Sequence, residues 1–216
     1  MSFSLEMLLD YFEIYNEGIW PMQWVGCVLG LLSLIPLFRP SKTWNRVTTG
    51  VLAVLWLWLS LVFWRQGAAN MAILYVPTAL FGLQGILFLV ALARGSISYG
   101  PERSLYTAVG LVFIAYALAG YPLLGMLVGH AYPRTAISPL FPCPGIILTF
   151  GVLLFARRVP RHLLVIPALW ALSGVYWFSL GMVEDAGLVI AGIVGVIMIS
   201  ASERVSHRAM TAAPQA

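Results

Sequence analysis

Charge is scarce in this chain. Its 216 residues include 12 Lys or Arg and 8 Asp or Glu, 9% in all, where a soluble domain carries about 25%. That is too little to dress a water-facing surface, which excludes a soluble enzyme of one or two domains. Disorder is excluded as well, because 61% of the residues are hydrophobic and 13% aromatic. With two cysteines, Cys27 and Cys143, the chain has no disulfide framework. Lysine occurs once, as Lys42 in a linker, so a retinal Schiff base inside a span has no candidate. The three histidines, His130, His162 and His207, do not fall at one level of the membrane. Their separation removes an intramembrane zinc hydrolase and a bis-histidine haem site. No P-loop, G-x-S-x-G or dinucleotide fingerprint is present. Ser138 and His130, eight residues apart in one loop, make a poor serine–histidine pair. The first eighteen residues hold Glu6, Asp10, Glu13 and Glu17 and no Lys or Arg, the reverse of a signal peptide's basic start.

Apolar sequence is what abounds, with a mean hydropathy of +0.91. A membrane-crossing helix needs about 20 mostly apolar residues. Seven such runs are present, at 19–38, 47–64, 71–93, 104–128, 140–156, 163–181 and 185–201. The expected fold is an all-α polytopic membrane protein of seven transmembrane helices. In that plan 1–18 is an outer helix, 19–201 the membrane part and 202–216 a tail. Every Lys and Arg except Arg65 and Arg134 falls in linkers 39–46, 94–103 and 157–162 or in the tail. Glu6, Asp10, Glu13, Glu17, Glu184 and Asp185 fall on the other side. By the positive-inside rule the basic side is cytoplasmic. The N-terminus is then outside and the C-terminus inside, as seven crossings require. The net charge of +4 reports topology, and with no soluble basic face a nucleic-acid partner is not expected.

The four early acids repeat at i, i+4, i+7 and i+11, one stripe of a helix, with Leu5, Leu8, Leu9 and Phe12 opposite. Such a helix either rests in the headgroups at the periplasmic surface or forms a lid over an outer vestibule, with Glu17 pointing inward. Runs 2 and 6 share Leu55-Trp56 and Leu169-Trp170, a faint sign of a 3+1+3 parallel repeat of the kind small carriers use. Aromatic-rich spans also resemble one another by composition alone.

Run 140–156 is unlike the rest. Pro139, Pro142 and Pro144 argue against helix before Pro144. A helix from Pro144 to Ala156 is about 20 Å long, against a hydrocarbon core of about 30 Å. Arg157 and Arg158 anchor its lower end, so its upper end lies below the outer surface. Irregular backbone at that depth is tolerated only against protein or a watered cavity. An outward-facing cavity is expected there. Cys143 would cap this helix, either as a reactive thiol favoured by the helix N-terminus or as a small residue filling a kink. A Cys27–Cys143 pairing stays open.

His130, Tyr132 and Arg134, in loop 129–138, share the outer side with Glu17, Glu184 and Asp185. His130, Cys143, Glu17 and Glu184 have the donor chemistry of a transition-metal site, though none of the spacings of a metal motif. Glu184-Asp185 equally reads as a cap on the last helix. Deeper in the spans, Gln23 and Gln84 need hydrogen-bond partners. Gly187, Ala191 and Gly195 form a close-packing face.

As a set, several stretches resemble a family of uncharacterised bacterial multi-pass membrane proteins. They are Tyr15-Asn16-Glu17, Trp20-Pro21 with Gln23, Leu83-Gln84-Gly85 and Tyr121-Pro122-Leu123-Leu124-Gly125. His130, Tyr132-Pro133, Pro142-Cys143-Pro144 and Glu184-Asp185 before Gly187-Leu188 complete the set. The resemblance implies a bacterial inner-membrane protein of about this size and brings no activity or cofactor with it. The functional expectation is a periplasm-facing cavity that binds or translocates a small ligand, a small molecule or a metal ion. Its candidate lining is Glu17, Gln23, Gln84, His130, Tyr132, Cys143, Glu184 and Asp185. The alternative is a non-catalytic membrane subunit or scaffold within a homo- or hetero-oligomer. An enzyme using the Cys143 thiol is a third reading.

Overall fold

The computed structural model describes residues 4–68, 71–100 and 104–211, with side chains as far as residue 202. Arg103 and the tail beyond 211 lie outside the described residues, as do the side chains of Arg204, His207 and Arg208. The described chain is helical, with one isolated bridge between Tyr99 and Ala156. In order it forms α1 (Leu5–Gly18), α2 (Met22–Leu32), α3 (Ile35–Phe38), α4 (Lys42–Trp58), α5 (Arg65–Ala68) and α6 (Tyr75–Arg94). Then follow α7 (Ser104–Ala115), α8 (Tyr121–Leu127), α9 (Pro142–Leu153), α10 (His162–Ser179) and α11 (Ala186–Thr211). π-helical turns at Leu59–Trp64 and Tyr116–Gly120 join α4 to α5 and α7 to α8. The Ser41 hydroxyl caps α4 by accepting from the Trp44 N–H at 3.2 Å. At the other end of the neighbouring helix, Gly95 closes α6 in the left-handed region at φ 58°.

Among the described residues, five continuous helices are long and apolar enough to cross a membrane: Lys42–Gly67, Ala72–Arg94, Leu105–Leu127, His162–Ser179 and Val183–Ser202. A sixth arises if α1 and the α2–α3 stretch count as one span, bent by 89°. The expected run 140–156 is the 12-residue α9, about 18 Å of helix. Seven full-length spans therefore become five, or six, with one short apolar helix.

That short helix is the centre of the molecule. Every residue of α9 except Cys143 is buried, as expected of a helix that is apolar on all sides. Helices α4, α7, α10 and α11 pack around it. A Cβ on Gly110 would meet the Gly151 carbonyl oxygen at 2.6 Å, and one on Gly151 would meet that of Gly110 at 2.8 Å. On α11, a Cβ at Gly195 would strike the Phe150 ring at 2.6 Å and one at Gly187 the Tyr116 ring at 2.1 Å, with Ala191 buried between them. The helix begins at Pro142, two residues earlier than expected. First-turn N–H groups have no partner within a helix, so both Pro142 and Pro144 are accommodated there. Phe141 takes the extended conformation that a following proline favours. Cys143 is thus the second residue of the helix and not its cap.

Helix α1 is docked on the bundle. Leu8, Leu9, Phe12, Tyr15 and Asn16 are buried beneath it. Phe12 and Tyr15 meet Phe141 edge-to-face, with ring centroids 5.0 and 4.9 Å apart, and Tyr15 meets Phe63 at 4.8 Å. Below α1 runs the irregular chain that leads into α9, and its backbone is satisfied by side chains. The Tyr15 hydroxyl donates to Leu140 O at 2.9 Å, and Asn16 Nδ2 donates to Pro133 O at 2.6 Å and Thr135 O at 2.8 Å. Of the two surroundings that irregular backbone tolerates, this segment has protein.

At the opposite end the three basic linkers meet. Asn45 Nδ2 donates to Ser98 Oγ at 3.3 Å, Tyr99 N donates to Asn45 Oδ1 at 3.1 Å, and Arg157 N donates to Ser98 O at 2.9 Å.

Candidate functional site

Glu184 and Asp185 end a 3-10 turn, Val183–Asp185, just before α11, and both are buried. Both therefore sit at the N-terminal end of α11, and their side chains also meet other segments of the chain. Glu184 Oε1 lies 3.0 Å from His130 Nδ1. Asp185 Oδ1 accepts from the Tyr121 hydroxyl at 2.7 Å, and the Cys143 thiol lies beside the same carboxylate. The Tyr116 hydroxyl donates to the Glu184 carbonyl at 2.7 Å. Tyr116 and Tyr121 are five residues apart, and the i→i+5 turn between them lets both rings reach this segment. At Gly125 a Cβ would meet Thr135 Oγ1 at 2.8 Å and Glu184 Oε1 at 3.2 Å, so the absence of a side chain there is what admits the cluster. Glu184 Oε2 and Thr135 Oγ1 are buried without a hydrogen-bond partner among the described residues.

Next to this cluster is a cavity of about 490 Å³, bounded by α1, the start of α9 and the adjoining ends of the helices around them. Aromatic rings dominate its wall, among them Tyr11, Phe63, Trp64, Trp170 and Trp177. Cys143 and Asp185 supply polar groups, and among the described residues no Lys, Arg or His lines it. The rings of Trp64 and Trp170 are 5.0 Å apart, and both indole N–H groups are buried without a partner among the described residues. The cavity adjoins the start of α9 at Pro142 and Cys143. A second cavity, of about 620 Å³, opens among the basic linkers beside Lys42, Arg46 and Ser98.

Of the expected lining, His130, Cys143, Glu184 and Asp185 come together, and two of them, Cys143 and Asp185, face the cavity. Glu17 stays on the exposed side of α1, so the lid does not turn it inward. Its stripe-mates do find a partner, since Arg134 reaches Glu6 at 2.6 Å, Asp10 at 2.7 Å and Glu13 at 3.7 Å. Gln23 Nε2 donates to Asn16 O at 2.6 Å, one layer beneath α1. Gln84 Nε2 donates to Leu163 O at 3.0 Å, an interhelical bond outside the cavity wall. Tyr132 is exposed on its loop. Both cysteines are free, with Cys27 Sγ directed to Ile137 O at 3.8 Å.

The metal set of His130, Cys143, Glu17 and Glu184 is corrected. Among the described residues no group of three or more His, Cys, Asp and Glu is placed to hold an ion. The reason is local: Glu17 faces solvent and Cys143 sits beside Asp185, which leaves His130 and Glu184 as a pair. Sequence reasoning missed the parts played by Asn16, Thr135 and the wall tryptophans. Trp64 and Trp177 stand near the ends of their apolar runs, where the same residues make an interfacial belt, so their positions alone could not single them out.

The sequence from residue 5 to residue 210 matches a family of unknown function, DUF6064. The chain belongs to that family. The match takes in every helix that builds the cluster and the cavity, so the DUF6064 region contains the whole candidate site. Comparison with curated proteins and with solved structures finds no match.

Proposed function

We propose that this DUF6064 protein is a multi-pass protein of the bacterial inner membrane, with α1 on the periplasmic face, that binds a small ligand in the cavity under α1. The observation that carries the reading is the cavity itself. Its volume of about 490 Å³ falls within the range of ligand pockets, about 300–1,000 Å³. Its wall combines aromatic surface with the polar groups of Cys143 and Asp185. Binding is favoured over translocation because the lining stops at Cys143 and Asp185 and does not extend to Gln84. A scaffold would leave one apolar face uncovered. Here exposed apolar side chains are spread around the bundle: Val28 on α2, Ile86 on α6, Leu172 on α10 and Ile193 on α11. That distribution suits lipid on all sides.

Accessibility of Cys143 tests the cavity. With Cys27 replaced by alanine, the small neutral reagent hydroxyethyl methanethiosulfonate is expected to modify Cys143 in the folded, reconstituted protein. It should do so from the α1 side. A thiol that reacts only after unfolding would overturn the reading.

A further inference from the structure

The two adjacent acids of the cluster are not equivalent. Glu184 is opposed by His130 within the fold. Asp185 is met by neutral donors only, the Tyr121 hydroxyl and the Cys143 thiol, and the ion pairs among the described residues leave it out. Among the described residues it is also the only Asp, Glu, Lys, Arg or His in the cavity wall. A buried carboxylate without a cation is costly, and in a membrane protein such a group marks a ligand counter-ion or an ion path.

The rest of the wall has the matching preference. Phe63 and Trp64 stand 4.9 Å apart, Trp64 and Trp170 5.0 Å, and Tyr176 and Trp177 5.1 Å, so contiguous ring surfaces border the space. Aromatic faces attract cations through their quadrupoles. An anion would find no full positive charge in this wall. A bare metal ion would find no ligand set either, since none of the described residues supplies one. What the wall suits is a positive charge carried on an apolar body.

We propose that the cavity selects an organic ammonium ion, a compact amine whose apolar body packs on the aromatic wall and whose charged nitrogen pairs with Asp185. This rests on the ligand-binding reading above and adds the charge class of the ligand.

Cys143, beside Asp185 in the same wall, can report the local field. In the Cys27→Ala protein, three methanethiosulfonates of similar size are compared: aminoethyl (cationic), hydroxyethyl (neutral) and sulfonatoethyl (anionic). Each rate is divided by that of a small thiol in solution, which removes the reagents' intrinsic differences. The cationic reagent should then exceed the anionic one by about tenfold or more, as in a cleft of one sign of charge. In Asp185→Asn the difference should collapse. In the protein with Asp185 intact, phenethylammonium should protect Cys143 at concentrations where 2-phenylethanol, its neutral counterpart, does not. Equal normalised rates for the three reagents, or equal protection by the two aromatic compounds, would overturn the ammonium ligand and leave the cavity standing. No reaction with the neutral reagent, with Asp185 or in Asp185→Asn, would remove the cavity reading and the ammonium together.

Discussion

His130 and Glu184 are 54 positions apart in sequence and 3.0 Å apart in space, both nearly sealed from solvent. Deleting one partner of such a contact leaves the other buried and without its hydrogen bond, which costs about 1–3 kcal/mol and more for a charged group. His130→Ala should therefore lower the unfolding temperature in detergent markedly. Adding Glu184→Gln should recover part of the loss, and additive effects of the two changes would refute the pairing. A second residue-scale expectation concerns close packing. A Cβ at Gly187 would sit 2.1 Å from the Tyr116 ring, whose hydroxyl is also tied to the Glu184 carbonyl. The ring cannot retreat without giving up that bond, so Gly187→Ala should cost about 1–3 kcal/mol. Gly18→Ala, where a Cβ meets nothing within 4 Å, is the control and should be neutral or slightly stabilising. Sorting the charges by side was enough to place His130, Cys143, Glu184 and Asp185 at one end. Which of them pair was not legible, because the pairing depends on a π-helical turn and a buried loop that leave no periodic mark in the sequence.

Among the elements, α1 shows how two kinds of contact divide the task of docking. Its acidic stripe meets Arg134, but Glu6 and Asp10 are 72% and 63% exposed, and such pairs contribute little and weaken in salt. Its other face buries Phe12 at 5% exposure against Phe141. Phe12→Ala should thus destabilise by about 3–5 kcal/mol, whereas Arg134→Ala should have a small effect that disappears at high salt. Thermal unfolding in detergent at two salt concentrations would separate the terms, and a larger loss from Arg134→Ala would show the ion pairs to dominate. The period-3.6 stripe made both faces of α1 readable. It could not decide between lipid headgroups and the rest of the protein as the surface covered, since either accepts an apolar face. For α9 the prolines correctly forecast a short helix. They misplaced its start by two residues, because a proline in the first turn ends nothing.

Over the whole molecule, the number of crossings turns on α9. A 12-residue helix spans about 18 Å of a hydrocarbon core of about 30 Å, so by length alone it could dip in and return. The contacts at its two ends argue otherwise. The chain leading into α9 is held by Asn16 at Pro133 O and Thr135 O, beneath α1. The chain leaving it is held at the basic linkers, where Gly100 N donates to Phe155 O at 3.0 Å and Tyr99 bridges Ala156. The nonhelical stretch 133–141 supplies the missing length, since extended chain covers about 3.3 Å per residue. If α2–α3 and α9 cross together with the five long helices, as the sequence expects, the number of passages is odd and the two termini lie on opposite sides. With the basic linkers collected at one end, the positive-inside rule then predicts that end to be the cytoplasmic one. Fused to the C-terminus, green fluorescent protein should therefore fluoresce and alkaline phosphatase should be inactive. An epitope ahead of α1 should be cut by protease added to spheroplasts. An active phosphatase would mean reversed orientation or an even number of passages, and protection of the epitope tells the two apart. If the epitope is protected, the whole chain is inverted; if it is cut, α9 or the α2–α3 segment fails to cross.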